Sequence, residues 1–273
     1  MTVVDGSFDH PLALEEHATL PLAGGIEQMG FQCGQVWGAA LAAGARAYQL
    51  FGSRPEAEAA AIIAAQRLAE SFRTRYKSID CLEVIDLDWK NAQAKQILKF
   101  FLRGGPIRCF SMTAGYARTA SGEIAAAFSD THLEAPAAPV SCAAVLAHTM
   151  AASDLHTVMA AGLAGGIGLS GGACGALGAA IWLIEMNRVK EGTGQVEFNS
   201  PEATEAIDRF LQSSDGEFEC AKIVGRKFES VYDHAAYLRA GGCAKIIEAL
   251  AAQPARGCGF QASAMPELDS ARK

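Results

Sequence analysis

The sequence lacks the short cysteine motifs of the common metal and redox sites. It has no CxxC, the spacing used by zinc ribbons and thioredoxin-type proteins, and no CxxCH, which attaches haem covalently. Its glycine clusters are not followed by the Lys-Ser or Lys-Thr pair of a phosphate-binding loop. These absences exclude four familiar explanations for eight cysteines and 28 glycines in one chain.

A basic stripe and a leader sequence are also missing. Nucleic-acid binding needs clustered Lys and Arg, and a chain with net charge −7 is not expected to have a nucleic-acid partner. The N-terminus, MTVVDGSFDHPL, has neither the basic region nor the apolar region of a secretory signal. We therefore expect a cytoplasmic protein whose cysteines are metal ligands or redox thiols rather than disulfides.

What the chain does have is an internal repeat around a loop-borne cysteine. Cys174 lies 141 positions after Cys33, and the same shift relates Gly165-Gly166-Ile167 to Gly24-Gly25-Ile26. Two further cysteine pairs keep their order and local setting: Cys81 with Cys220, and Cys109 with Cys243. We interpret the chain as two copies of one module.

The clearest boundary between the copies is EAPAAP, residues 134–139, which has two prolines and no periodicity. The predicted modules are residues 1–133 and residues 140–273. Cys142 belongs to the second module and has no counterpart in the first, because the shift of 141 places it on Met1. Cys258 has no partner either, and we expect it to be unimportant.

Helical spacing dominates both modules. Trp37, Leu41, Ala45 and Tyr48 share a helical face, and Ser200-Pro201-Glu202 has the residue types of a helix start. Helices are predicted from Cys33 to about Leu50, from Pro55, from about residue 90 to 102, and after Cys142, Asp154 and Cys174. No strand alternation lasts long enough to build a sheet. The predicted fold is all-α, with two pseudo-equivalent modules packed together and helices 33–50 and 174–190 facing each other.

Residues 157–184 carry no charged side chain and are long enough to cross a bilayer. The equivalent segment of the first copy contains Glu27 and Gln28, and two equivalent modules should not lie in different solvents. The glycine clusters also divide the segment into a helix, a loop and a second helix. No membrane span is therefore predicted.

Several cysteines are predicted to lie at helix N-termini. There the unpaired N–H groups and the helix dipole stabilise a thiolate, and preceding glycines let further N–H groups approach the sulfur. The cysteines with this setting are Cys33, Cys109, Cys174 and Cys243. Packing alone would require only alanine, so the pattern indicates chemistry.

The second module supplies a four-thiolate set: Cys142, Cys174, Cys220 and Cys243. Their wide spacing means that each comes from a different helix, which suits a [4Fe-4S] or [2Fe-2S] cluster in a helical core, and zinc less well. Cys33, Cys81 and Cys109 could form only a three-thiolate site in the first module. Such a site is either a metal centre with an open position or the remnant of one.

The motifs of the second module resemble the redox-active family known by its C_GCAxxG_C_C pattern. CAAVLAHTM, then Cys174-Gly175-Ala176, then Cys220 and Cys243 follow that pattern, with its last glycine displaced to Gly178. The first module keeps Cys33-Gly34 and Gly38 but has lost the alanine and the leading cysteine. The resemblance implies a redox role and supplies no substrate.

Three functions are therefore kept: an iron–sulfur redox protein, a cofactor-free thiol–disulfide protein, and a non-enzymatic metal-binding or scaffold module whose duplication imitates a homodimer. The first two need an electron donor or acceptor, protein or small molecule, and homo-oligomerisation is left open. The histidines His10, His17, His132, His148, His156 and His234 show no pairing that implies a triad or metal motif, and we expect them to be structural.

Overall fold

The structure is a computed structural model that describes residues 12–129, 134–192 and 197–252. Within these ranges the chain forms thirteen α-helices and a 3-10 turn at Leu20–Leu22. The helices are α1 (Ala13–His17), α2 (Gly34–Phe51), α3 (Pro55–Tyr76), α4 (Cys81–Ile85), α5 (Ala94–Leu102), α6 (Gly105–Ala127), α7 (Cys142–Thr149), α8 (Asp154–Ala161), α9 (Gly175–Glu191), α10 (Pro201–Ser213), α11 (Cys220–Val224), α12 (Val231–Arg239) and α13 (Ala244–Ala251). The described residues contain two isolated β-bridges and no strand, which confirms the all-α prediction.

The helices begin close to the residues that the sequence predicted, with small differences. Ser200 caps α10 as predicted, accepting the N–H of Ala203 at 3.1 Å. Asp154 is not the cap of α8, because Ser153 takes that position and accepts the N–H of His156 at 3.3 Å. The helix expected from about residue 90 begins at Ala94.

Small residues let the central helices approach closely. At Gly44 in α2, an added Cβ would lie 2.5 Å from the Cα of Met159 in α8, so only glycine fits this crossing. The main neighbours of α2 are α3 and α8. The expected packing of α2 along α9 is wrong: they meet where the Trp37 ring lies over Gly178, whose Cβ would be 2.2 Å from Trp37.

Equivalent residues of the two copies touch each other. Glu15 and His156, which are 141 positions apart, join through Oε1 and Nε2 at 2.9 Å. Gln32 and Ala173 have the same separation, and the side-chain amide of Gln32 both donates to the Ala173 carbonyl and accepts its N–H, each at 3.2 Å. Contacts between residues related by the repeat are those expected near a pseudo-twofold axis between the copies.

Helix α1 and its counterpart α8 each pack on the long helix of the other copy. Helix α8 lies against α2, and α1 lies against α9, where the Trp182 indole N–H donates to the Glu15 carbonyl at 3.0 Å. These reciprocal contacts join the cores of the two copies. Residues 134–139 lie between α6 and α7 outside any helix, and their role as a module boundary stays a prediction.

No helix in the described part of the chain is both long and apolar enough to cross a membrane. The uncharged segment 157–184 is divided as predicted, because α8 ends at Ala161 and α9 begins only at Gly175.

Candidate functional site

The glycine-rich loops before Cys33 and Cys174 have the same backbone path. Gly30 N–H donates to the Gly24 carbonyl, and Gly171 N–H donates to the Gly165 carbonyl, both at 2.9 Å. Each loop also holds an isoleucine in the left-handed region, with φ of 56° at Ile26 and 68° at Ile167. A β-branched residue avoids this region, so each loop is held in place by its surroundings.

A β-bridge follows each loop and brings a second cysteine beside the first. The Cys174 N–H donates to the Phe218 carbonyl at 2.8 Å, and the Cys220 N–H donates to the Gly172 carbonyl at 2.7 Å. In the first copy, Cys33 and Cys81 make the same pair of bonds with Ile79 and Phe31, both at 2.7 Å. The sequence predicted which cysteines correspond, but it gave no sign of these bridges.

Gly175, the first residue of α9, lies very close to the backbone of the second glycine-rich loop. A Cβ there would lie 1.6 Å from the Leu163 carbonyl oxygen, which is backbone and belongs to the loop itself. At the equivalent Gly34 the closest atom would be the Ala23 Cα, at 3.0 Å. The glycine after the cysteine is therefore a steric requirement, and it is far stricter in the second copy.

Cys174 caps α9 and is buried. Burial and then the charge of Cys142 raise its pKa to about 12, although the N–H groups of Ala176 and Leu177 lower it. The N–H groups expected at this helix start are present. The prediction that they favour a thiolate is wrong for the protein without a bound cation, because desolvation of a buried charge is the larger effect.

Cys142, the first residue of α7, faces His234 from α12. Burial opposes its ionisation, but the charge and proximity of His234 and the N–H groups of Gly165 and Ala143 outweigh burial, and the net effect lowers the Cys142 pKa. Burial also opposes the charge on His234, but Cys142 and the Val140 carbonyl, 2.9 Å from Nδ1, raise its pKa. Nε2 of His234 makes no regular hydrogen bond with a described residue.

Cys220 and Cys243 complete the group. Cys220 is the first residue of α11, and Cys243 is the left-handed cap of α13. Burial raises the pKa of both thiols, and the charges of Cys142 and Cys174 raise it further. The four predicted cysteines therefore lie within electrostatic reach of one another, each from a different helix. Among the described residues, no three His, Cys, Asp or Glu side chains are close enough together to hold a single metal ion.

His234 is the residue that sequence reasoning missed. It is 1% exposed, and the Phe228 ring packs edge-on against it at 4.8 Å. The signal was present in the repeat: aligning Tyr237-Leu238-Arg239 with Phe101-Leu102-Arg103 places Leu98 opposite His234. The first copy thus lacks the counterparts of both Cys142 and His234.

The first-copy cysteines form a different arrangement. The backbone bridge brings Cys33 and Cys81 together, and the interaction between their thiols lowers the pKa of Cys33 and raises that of Cys81. Cys109 is half-buried and is the fifth residue of α6, so its predicted place at the helix start is wrong. Burial raises the Cys109 pKa. Cys258, His10 and His132 lie outside the described residues.

Glu58 of α3 reaches across to the second copy. Its Oε2 accepts the N–H of Ser141, the residue before Cys142, at 3.1 Å. Burial raises the Glu58 pKa to about 7, and the Ser141 bond only partly offsets this. A first-copy carboxyl therefore supports the start of α7.

We expect Glu58→Gln to stabilise the chain at pH 8 and to change little at pH 4. The unfolded chain ionises Glu58 near pH 4.5 and the folded chain near 7, so wild-type stability falls as pH rises through this interval. Gln keeps an acceptor for Ser141 and does not ionise. At about 1.4 kcal/mol per pKa unit, less some screening, the gain is about 2 kcal/mol. Urea unfolding at pH 4 and pH 8 measures this gain in the free energy of unfolding. An equal gain at both pH values would contradict the raised pKa of Glu58.

Comparison with known proteins gives one finding. The family model described as "Putative redox-active protein (C_GCAxxG_C_C)" matches the chain twice, over residues 8–122 and 138–255. The two matches correspond to the two copies of the repeat. No curated protein and no solved structure matches the chain.

Proposed function

The chain belongs to the redox-active family with the C_GCAxxG_C_C pattern, in tandem duplication, and from this premise we propose that its second half is an iron–sulfur redox centre. Cys142, Cys174, Cys220 and Cys243 would hold the cluster. The observation that carries the proposal is that the thiols of Cys142, Cys174 and Cys220 are buried and that of Cys243 is half-buried, within one group whose charges act on one another.

The donor set fits an iron–sulfur cluster. Burial and the charges of neighbouring cysteines raise the pKa of the Cys174, Cys220 and Cys243 thiols, which makes them unfavourable as thiolates, and a bound cation reverses that effect. N–H groups at the sulfurs of Cys142 and Cys174 are the type of contact that tunes such clusters.

A bound cluster would supply one-electron transfer. The four thiolates would hold it, and the burial of Cys142, Cys174 and Cys220 at helix starts would limit the access of water. His234 is a positioning residue: its Nδ1 is held by the Val140 carbonyl, and its side chain interacts with Cys142.

Anaerobic purification tests the proposal. We expect a coloured protein with broad charge-transfer absorption and with iron and acid-labile sulfide in equal amounts. Bleaching by oxygen or a chelator should remove both together. A colourless protein that binds no iron after anaerobic reconstitution with iron and sulfide would overturn the proposal.

A second candidate function is thiol–disulfide exchange at Cys33 and Cys81, favoured by the backbone bridge that brings these cysteines together and by the lowered pKa of Cys33. The Cys33 thiolate attacks a disulfide substrate and displaces one thiolate. Cys81 then loses its proton and attacks the Cys33 sulfur, displacing the second thiolate and closing a Cys33–Cys81 disulfide. Two electrons pass to the substrate, and its two thiolates take up the two protons that the cysteines lose.

Thiol counting tests this candidate. Metal-free protein treated with a small disulfide should lose two free thiols, and peptide mapping should find Cys33 joined to Cys81. Cys81→Ala should instead keep the small thiol as a mixed disulfide on Cys33. No loss of thiols, or a disulfide between other cysteines, would exclude the exchange.

A further inference from the structure

One segment of the chain differs sharply from the rest in charge. From Trp89 to Gly122 there are six Lys and Arg residues and no acidic residue, in a chain of net charge −7. The whole chain is acidic, as its net charge indicates, but the expectation that it has no basic stripe is wrong for this segment. The segment contains α5 and most of α6, which together form a helical hairpin.

The hairpin also exposes large apolar side chains. Leu98, Phe101 and Leu102 of α5 are 58%, 55% and 79% exposed, and they follow one another at the spacing of a helical stripe. Ile107 and Phe110, in the first turns of α6, are 75% and 76% exposed. Helix α5 is amphipathic, but it buries none of its nine residues. Its apolar stripe is therefore unpartnered among the described residues.

The inner side of α5 is anchored, so the stripe does not result from a detached helix. Phe100 packs edge-on against Trp89 at 5.3 Å, and its ring fills the space where a Cβ of Gly105 would lie. Cations lie on or next to the same two helices. Lys95, Lys99, Arg103 and Arg108 make no ion pair with a described residue, and the last three line a cavity of about 430 Å³ behind the stripe, together with Asp86 and Asp88.

The corresponding helix of the second copy has the opposite character. Helix α12 buries Val231, His234, Ala235 and Leu238, and its Asp233 is paired with Arg226. The Arg239 side chain donates to the Ala137 carbonyl at 2.8 Å, so residues before α7 cover this helix. The exposed stripe belongs to the first copy alone.

We propose that the α5–α6 hairpin docks this protein on the surface of an anionic phospholipid bilayer. A helix with large apolar residues on one face and Lys and Arg beside them lies in the membrane interface, with its cations on lipid phosphates. The unpaired cations complement the negative surface, and Leu98, Phe101, Leu102, Ile107 and Phe110 enter the acyl boundary. Aliphatic side chains gain nothing from a nucleic-acid backbone, which favours the bilayer over nucleic acid. The inference is independent of the cluster proposal.

Vesicle flotation of the full chain tests the docking. We expect binding to vesicles of phosphatidylcholine and phosphatidylglycerol, weakening with salt, and little binding to phosphatidylcholine alone. Each cation contributes about fivefold, so Lys99→Gln with Arg103→Gln should weaken binding about 25-fold. Leu102→Ser with Phe110→Ser should weaken it at least about tenfold. The matched second-copy control, Tyr232→Ser with Lys245→Gln, should bind as wild type.

Several results would overturn the docking. The wild type could bind neither vesicle, or both lipid compositions equally. The hairpin variants could bind as well as wild type. A lipid-free dimer that Leu102→Ser with Phe110→Ser dissociates would identify a second copy of the chain as the occupant instead, and binding to RNA in place of vesicles would identify nucleic acid. Circular dichroism of each variant confirms that its helices are intact.

Discussion

Gly175→Ala is expected to destabilise the metal-free chain by at least about 4 kcal/mol, at the upper end of what one substitution does. The new Cβ would lie 1.6 Å from the Leu163 carbonyl oxygen and 2.4 Å from its carbon. Both are backbone atoms of a loop that hydrogen bonds hold at Gly165 and Gly171, so no side chain can move aside. The loop must open, which separates the Cys174 cap from the bridge at Cys220.

Gly34→Ala is the matched control, because Gly34 occupies the same position in the first copy. Its Cβ would lie 3.0 Å from the Ala23 Cα, a contact that a shift of a few tenths of an ångström relieves. We expect a loss of about 1 kcal/mol or less. Urea unfolding followed by circular dichroism compares the two variants. Equal losses would mean that the close approach of α9 to its loop is not the reason for Gly175.

This asymmetry marks the limit of what the repeat alone predicts. The sequence correctly predicted that Gly34 and Gly175 follow equivalent cysteines at helix starts. It could not predict the difference between them, because that depends on the Leu163 carbonyl, twelve residues earlier and in a loop without regular periodicity. Local patterns define helix starts such as Ser200, whereas contacts between loop backbones depend on the whole fold.

The same distinction explains the other differences. The pairing of α2 with α9 was inferred from their small residues. Small residues favour a close crossing with any helix, and in α2 the close crossing at Gly44 is with Met159 of α8. His234 was set aside because no ligand lies near it in sequence, yet the fold brings it to Cys142, 92 positions away. Overall charge also concealed the basic segment around α5. Each of these features needs the three-dimensional neighbour, or a comparison between the copies, to be recognised.

Cys174→Ala is expected to abolish iron binding by the second half of the chain. Cys174 is the cysteine through which the loop, the bridge and α9 meet, and the charges of Cys142 and Cys174 act on both Cys220 and Cys243. Removing one of the four thiolates leaves the cluster without its full set of ligands and leaves the other three thiolates close together without a bound cation. Iron and sulfide analysis of anaerobically reconstituted protein measures the loss.

Cys33→Ala, its counterpart in the first copy, is the matched control. If only the second half holds a cluster, iron stays at about four or fewer per chain in the control and falls to background in Cys174→Ala. If both halves bind, wild type holds about twice that amount and each variant loses about half. That result would exclude Cys33 and Cys81 as a free dithiol. Unchanged iron in Cys174→Ala would overturn the cluster itself, and Cys258→Ala should change nothing.

The thermal stability of the same variants separates metal binding from packing. A cluster that binds only the folded chain stabilises it by its binding free energy, so wild type should melt well above Cys174→Ala when reconstituted. Once iron is stripped, the difference should shrink to the loss of one buried sulfur, on the order of 1 kcal/mol. A gap in melting temperature that persists in the stripped proteins would show that Cys174 acts through packing. A gap that closes with iron removal assigns the stabilisation to the bound cluster, because the two chains then differ only in that sulfur.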